Sequence, residues 1–357
     1  MTVTVAEYIW LDNNKKFRSK TKIIKHIDGL YFLEFSNDKN VSKFPEWDYD
    51  GSSTGQADGK KSEIILRPVF ICDNPLLNTI GNNIMYSKLV LCETYNSDGT
   101  PTESNTRHLA TKIFDSCHDQ KPWFGIEQEY FIFDKNFILD KCIETNLYEE
   151  LFHVTTEHYC GIGREIKYRQ LAEEHMLACI KARITISGIN AEVSKNQWEF
   201  QIGPSEGVKA ADELLVARFI LERIAEKYGN TISYDPKPFA HINGSGCHAN
   251  FSTLKMRTPC DDNNGIMEIY RTTNNIEKHH TEDMHYYGAN NERRLSGKHE
   301  TSSYNTFSSG IGDRGVSVRI NNKTHNAGYG YFEDRRPAAN MDPYLVTSIL
   351  MKRVIEK

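Results

Sequence analysis

The chain has 357 residues, and its 43 Lys and Arg against 48 Asp and Glu give a net charge of −5, which supports two domains and excludes the basic excess of a nucleic-acid-binding protein. No apolar run approaches the ~20 residues of a membrane span, and the N-terminus, Met1 to Glu7, lacks the basic and apolar regions of a secretory signal. The 8 cysteines form no Cys-x-x-Cys pair, so free thiols in a cytoplasmic setting are expected.

Residues 1–99 read as strands and turns. Ile27 to Phe35 carries a turn and then an apolar run, and Ile64 to Phe70 and Leu89 to Glu93 are further strand candidates. Trp47 to Gly59 gathers Gly, Ser and Asp and reads as a loop. It is either a surface hairpin or a loop that presents Asp50 and Ser53 to a site. The chain holds no P-loop motif, and neither a dinucleotide fold nor a P-loop nucleotide site is expected.

Asn96 to Thr102 has linker composition and places the domain boundary between residues 99 and 100. Ser104 or Asn105 then caps a helix with apolar positions at Leu109, Ile113 and Cys117. Residues 134–158 are polar and irregular and read as a surface loop. A helix is predicted from Gln170 to about Ile184, with His175 as a structural residue inside it. Ala210 to Tyr228 is the clearest helix, with Leu214, Ala217, Leu221 and Ile224 on one face and Gly229 as its stop. Asp342 and Pro343 open the last one. The interleaving of strands and helices implies an α+β or α/β catalytic domain behind a small β-rich one.

Chemistry concentrates in the strand-like segments. In Trp123 to Phe133, Glu127 and Glu129 share one strand face in an apolar frame. They are either a solvated polar face or a pair that needs a compensating cation. Glu192 follows Asn190-Ala191. Glu199 and Gln201 alternate with Trp198, Phe200 and Ile202, and His248 follows the glycine-rich Asn243 to Cys247. Glu333 stands in Gly330 to Pro337. Oxygen ligands with one imidazole suit magnesium or manganese better than zinc. Arg293, Arg294, Arg314, Arg319, Arg335 and Arg336 cluster in the last third, and arginine grips carboxylates and phosphates. The residues thus point to a metal-dependent enzyme that handles phosphate and an anionic co-substrate, with solvated surface arginines as the plain alternative.

Asp50 to Thr54, Trp123 to Tyr130, Asn190 to Val193, Gln197 to Pro204, Asp235 to Pro238, Asn243 to His248, Arg294 to Glu300 and Gly330 to Pro337 together resemble glutamine synthetase of the eukaryotic type. The matches keep the family's order and cover nearly the whole chain. The resemblance implies an α+β fold, with a β-grasp domain over 1–99 and a catalytic domain over 100–357 built on a curved antiparallel sheet with helices. It implies ligation of ammonia to the γ-carboxylate of L-glutamate, driven by ATP through γ-glutamyl phosphate, with two or more Mg2+ or Mn2+ per site. Glu129, Glu192 and Glu199 would hold one metal, and Glu127, His248 and Glu333 the other. Asn243, Gly244, Arg294 and Arg335 would bind glutamate, while Arg314 and Arg319 would neutralise phosphates. Phe200, Gln201, Ile202, Gly203, Pro204, Asn250, Phe251, Ser252 and Tyr331 would line the ATP site, beside Glu127 and Glu199. Asp50 would bind ammonium and take its proton, and Glu300 would close the site as a flap. Asp50 and Ser53 would come from a neighbouring subunit of a decamer made of two stacked pentameric rings. The chain departs from the family's pattern at 134–158, at Ile242 where an aromatic is common, and at Met284 to Gly288. A ligase for another amine and a non-catalytic relative are the competing readings.

Overall fold

The strand-forming residues of the N-terminal part alternate in burial, and a sheet follows. This computed structural model describes residues 2–26, 41–77, 85–134, 158–259 and 264–356. The run predicted at 27–35, and all but the ends of the irregular stretch at 134–158, lie outside the described residues. The described residues group into two units. One runs to residue 109 and takes in 177–184, and the other comprises 110–176 and 185 onward.

In the first unit β1 (Thr2–Leu11), β2 (Phe17–His26), β3 (Trp47–Asp50), β4 (Glu63–Asp73) and β5 (Met85–Asn96) form a sheet of order β2-β1-β5-β4-β3. β1 and β5 run parallel, while β1–β2, β3–β4 and β4–β5 are antiparallel. Ala6, Tyr8 and Trp10 recur every second residue and all fall on the buried face, with Tyr49, Leu66 and Val90. The strands predicted at 64–70 and 89–93 lie inside β4 and β5. Pro68 has no N–H to give the ladder, and the β4–β5 register shifts beside it. One expectation is corrected: Trp47 to Asp50, read as loop, is a strand. Its two aromatics alternate, and Tyr49 packs on Trp10 with ring centroids 4.6 Å apart. The Gly- and Ser-rich remainder turns as a 3-10 helix, Gly51–Thr54.

The second unit holds β6 (Trp123–Asp134), β7 (Ile186–Ala191), β8 (Gln197–Glu206), β9 (Asn230–Ser233), β10 (Cys247–Ser252), β11 (Ser309–Ile311), β12 (Val318–Ile320) and β13 (Phe332–Asp334). Their order is β11-β12-β13-β10-β6-β8-β7, with β9 on β6. All pairs are antiparallel except β11–β12. The chain is therefore α+β, a strand-rich N-terminal unit and a larger unit built on a curved, largely antiparallel sheet with helices.

The longer helices among the described residues are α1 (Thr106–Ser116), α2 (Arg169–Lys181), α3 (Val208–Tyr228), α4 (Asn264–Lys278) and α5 (Pro343–Ile355). α3 buries the predicted Leu214, Ala217, Leu221 and Ile224, and Gly229 caps it in the left-handed conformation at φ 69°. It also buries Arg218, whose Nε donates to Gln128 Oε1 at 2.7 Å. Asp342 caps α5 through Tyr344 N and Leu345 N. In α1 the buried side chains are Ala110 and Phe114, while Leu109 is exposed; Cys117, just past the end of the helix, is buried as expected. The larger Phe114 ring packs edge-on to Phe124, 5.9 Å between centroids, and that contact sets which face turns inward. His175 is fully buried in α2, its Nε2 3.0 Å from Ala217 O.

Candidate active site

Strand pairing gathers the acidic residues. Glu127 and Glu129 lie on the same face of β6. His248 of β10 lies opposite Glu127, and Glu199 of β8 lies opposite Glu129. Glu333 on β13 faces Asn250 of β10, and Glu192 follows the end of β7. The result is two triads, Glu127–His248–Glu333 and Glu129–Glu192–Glu199, each with ligand atoms within 4.8 Å of one another.

An amide orients each of Glu127, Glu129, Glu192 and Glu199. Asn250 Nδ2 donates to Glu127 at 2.8 Å and Asn190 Nδ2 to Glu192 at 2.9 Å. Gln201 Nε2 donates to Glu199 and, at 2.7 Å, to Asn190 Oδ1. Gly246 N and Gln197 Nε2 donate to the same oxygen of Glu129, at 2.8 and 3.2 Å. Fixed donors of this kind hold ligand side chains in one direction.

The triads differ electrically. Burial, followed by the charges of Glu127, Glu129 and Glu192, pushes the Glu199 carboxyl up to about 10. Burial and then Glu192 push Glu129 to about 8, and burial raises Glu192 as well. Among the described residues this triad has no cationic side chain as a hydrogen-bond partner, and its excess negative charge calls for a cation. In the other triad, burial pushes Glu127 upward, but His248, Asn250 and Arg335 outweigh it and keep the carboxyl low. Burial, with the charge of Arg335, lowers His248, so the imidazole stays neutral and can offer a lone pair. Oxygens with one neutral imidazole suit a hard divalent cation, and both triads fit one.

A cavity of about 730 Å3 opens on both triads. Its wall includes Asn243, Gly244, Arg294, Glu300, Arg314, Arg319 and Arg335. Arg335 donates to Glu333 at 2.6 Å and to the Glu300 carbonyl at 3.2 Å. Arg319 Nη1 donates to Glu333 at 3.1 Å, while its buried Nε has no partner among the described residues. An orphaned guanidinium donor beside a carboxylate cluster suits an anion such as phosphate. Arg294 is buried and spreads its Nη2 over the carbonyls of Arg335, Arg336 and Pro337 at 2.8–3.0 Å. Glu300 has φ 58°, left-handed for a residue with a Cβ, and its carboxylate lies 3.8 Å from Arg314. Of the clustered arginines, Arg293 and Arg336 do not line the cavity. Arg293 pairs with Asp235, and Arg336 is buried against Asp334.

A second cavity, of about 460 Å3, shares Glu127 and Gln201 with the first and is lined by Ile202, Gly203, Pro204, Asn250, Phe251, Ser252 and Tyr331. Gly203 has φ +103°, and a Cβ there would lie 2.3 Å from Phe124 O, so only glycine fits. Phe200 joins neither lining, because strand alternation turns its ring to the opposite face, on Tyr130 and His175. Sequence reasoning missed Trp123 and Arg257, which stack at 3.9 Å in this wall. Trp123, half exposed at the start of a strand, was the available signal. Tyr159 was missed as well. It lines the first cavity and hydrogen-bonds Arg314, holding that guanidinium above its ordinary value.

Ile242 is buried with Phe131, Phe133 and Phe239, and Tyr287 of the divergent 284–288 stretch is buried under Arg336. Asp50 and Ser53 belong to the N-terminal unit. Asp50 accepts from Ser52 N at 3.0 Å, Ser52 Oγ at 2.7 Å and Ser53 Oγ at 3.1 Å, and these bonds hold it below the usual carboxylate range. The described cysteines, Cys72, Cys92, Cys117, Cys160, Cys179 and Cys247, are free thiols. Among the described residues no helix is long and apolar enough to cross a membrane.

A curved sheet carrying paired acidic triads, an arginine wall and an adjoining apolar cavity defines a metal-dependent enzyme of the phosphate-handling, bond-forming class. Residues 103–356 match the family model described as glutamine synthetase, catalytic domain. The chain is 45% identical over 359 residues to glutamine synthetase N-1 of Phaseolus vulgaris, covering 98% of this chain and 94% of that one. It is 43% identical over 360 residues to the glutamine synthetase of Kluyveromyces lactis, covering 98% and 88%. A cryo-EM structure of Plasmodium falciparum glutamine synthetase superposes with a TM-score of 0.75 at 18% identity, over 98% of this chain and 71% of that one, and supports the fold. The chain belongs to the glutamine synthetase family. It is a glutamate–ammonia ligase that forms glutamine with ATP and divalent metal ions.

Proposed function

We propose that the first cavity carries out both halves of the reaction, and that the second holds the nucleotide base. The observation that carries this reading is the pair of triads set between the arginine wall and the apolar cavity, with Glu127 and Gln201 in both linings. Glu129, Glu192 and Glu199 would hold one cation and Glu127, His248 and Glu333 the other, with Mg2+ or Mn2+ favoured by the donor set. Bound there, the cations would supply the charge neutralisation that phosphoryl transfer needs.

The remaining roles fall to the chain's own residues. The γ-carboxylate of glutamate is a poor electrophile, and taking the γ-phosphoryl group of ATP converts it to γ-glutamyl phosphate and releases ADP. Asn243, Gly244, Arg294 and Arg335 hold glutamate in place. Arg314 and Arg319 neutralise the phosphates, and the unpartnered Nε of Arg319 supports that role. Ammonia then attacks the acyl carbon and phosphate leaves. Asp50, kept ionised by Ser52 and Ser53, binds ammonium and takes its proton. Glu300 closes the site against water, which the acyl phosphate requires. Asp50 and Ser53 reach the site from a second subunit, in a decamer of two stacked pentameric rings. The division at 99/100 is supported by the family match, which begins at residue 103. The free thiols of the described cysteines support a cytoplasmic location.

The test is an assay of purified protein with ATP, glutamate, ammonium and Mg2+ or Mn2+, and equal yields of glutamine, ADP and phosphate are expected. Higher rates with a small amine than with ammonium would move the assignment to a related amine ligase. Absence of phosphate release that depends on both glutamate and metal would overturn the catalytic reading. Sedimentation should show a decamer, and full activity in diluted monomers would refute the shared site.

A further inference from the structure

Gln197 opens β8, and its side chain is buried at 2% exposure. The reaction as read above gives it no role. Its Nε2 lies 2.9 Å from Gly244 O, 3.1 Å from Ser245 Oγ and 3.2 Å from Glu129 Oε2. Its Oε1 accepts from Ser194 N at 3.3 Å, so the oxygen end of the amide faces the preceding turn and the donor end faces the site. One primary amide has only two N–H groups, which these three acceptors share. One acceptor belongs to the acidic triad, and the others belong to the loop that presents Asn243 and Gly244.

That loop and that carboxylate are fastened at further points. Gly246 N donates to the same Glu129 oxygen at 2.8 Å, and Ser194 Oγ donates to Asn243 O at 3.4 Å. The loop has little room of its own, since a Cβ at Gly244 would lie 2.2 Å from Pro236 O and 2.8 Å from Arg294 Cγ. A shift of Gly244 therefore reaches Arg294 on one side and, through Gln197, Glu129 on the other. Gln201 provides the contrast. Its amide donates to Glu199 and Asn190, both on the triad side, and among the described residues it makes no bond to the loop.

We propose that Gln197 is a positioning residue that couples cation binding at Glu129, Glu192 and Glu199 to amino-acid binding at Asn243 and Gly244. The proposal rests on the reading of those two sites given above. With Glu129 Oε2 held by the loop, the other oxygen is left for the cation. Filling either site orders the shared amide, so the second ligand meets an arranged partner. Linkage requires the two effects to be equal in size.

The experiment measures binding without turnover. Mn2+ binding to the full chain is titrated with and without L-glutamate, and glutamate binding with and without Mn2+, in the absence of ATP. In the unsubstituted protein each ligand should tighten the other by the same factor, at least about fivefold, and in Gln197→Met that factor should fall below about twofold. Gln197→Leu likewise has no donor and should lose the coupling too. In both variants the KM for glutamate at low Mn2+ should rise by more than kcat falls. Coupling that persists in either folded variant, or coupling absent from the unsubstituted protein although both ligands bind, would overturn the proposal. If both variants fail to fold, Gln197 is a structural residue and the proposal falls. An unsubstituted protein that binds neither ligand would instead remove the reading of the sites, a result seen before any substitution is made.

Discussion

Glu129 and Glu199 face each other directly across the β6–β8 ladder, with Glu192 closing the triad. Like charges so placed repel, and burial adds to the effect. Both carboxyls titrate far above the ordinary 4.5, at about 8 and about 10. Between 4.5 and those values the metal-free folded chain holds more protons than the unfolded chain, so its stability falls as pH rises. The melting temperature of metal-stripped protein should therefore drop from pH 6 to pH 9. Glu199→Gln should flatten that slope and stabilise the stripped protein at pH 8 by about 1–2 kcal/mol, a figure reduced for water in the cavity. Mn2+ should also bind more tightly at higher pH and displace protons, read as a buffer-dependent heat in calorimetry. Heats independent of the buffer, or stability that climbs with pH, would contradict this account of the triad.

Glu300 is half exposed, and its contacts to the wall are divided between backbone and side chain. The Arg335 contact uses its carbonyl, and the Arg314 contact its carboxylate. Glu300→Ala keeps the first and loses the second. It should melt within a degree or two of the parent, yet lose glutamine synthesis by about two orders of magnitude, the scale of one misplaced active-site group. ATP consumption that outruns glutamine formation would show water reaching the acyl phosphate. Unchanged synthesis would sink the flap assignment.

The acidic site was only partly legible in the sequence, for physical reasons. Glu127, Glu129 and Glu199 could be read from strand alternation alone, because a period of two puts alternate residues on one face. Glu192, His248 and Glu333 could not. Their arrival depends on the strand order β13-β10-β6-β8-β7, which no local pattern encodes. The resemblance grouped them, and the geometry brings the same six together. The supporting amides of Asn190, Gln197 and Asn250 went unread, since an uncharged side chain in a strand carries no local signal of its partner. In the fold, the misread face of α1 and the strand at Trp47 to Asp50 share a cause. Propensity and composition identify an element, but the bulkiest neighbouring ring decides which side is buried, here Phe124 for Phe114 and Trp10 for Tyr49.

Arg336 follows Arg335 in the chain and serves a different purpose. It is fully buried, donating to Asp334 at 2.8 and 2.7 Å and to Tyr287 at 3.1 Å, with Asp283 3.8 Å away. Removing one partner of such a pair leaves a buried charge uncompensated. Arg336→Met should cost about 3–5 kcal/mol in urea unfolding. Because Asp334 lies between Glu333 and Arg335, the KM for glutamate should rise as well. A loss under about 1 kcal/mol would mean that the neighbouring groups neutralise Asp334 without it.

His175 provides a test of acid stability away from the cavities. It is fully buried in α2 against the Phe200 ring, at 4.8 Å between centroids, and burial lowers it from 6.5 to about 4, against a smaller opposing effect of the Ala217 carbonyl. A depressed folded value means that the folded chain resists protonation while the unfolded chain accepts it from 6.5 downward. Its stability is therefore complete above 6.5, declines as pH falls, and is fully forfeited below 4, by about 3 kcal/mol in all. Carboxylates also titrate in this range, so the comparison with a variant isolates the histidine. His175→Gln keeps a donor within reach of Ala217 and cannot take up a proton. Urea midpoints of the two proteins should differ by a constant amount above pH 7 and shift in favour of the variant between pH 6 and pH 4. Parallel curves across that range would mean that His175 is not kept neutral by its surroundings.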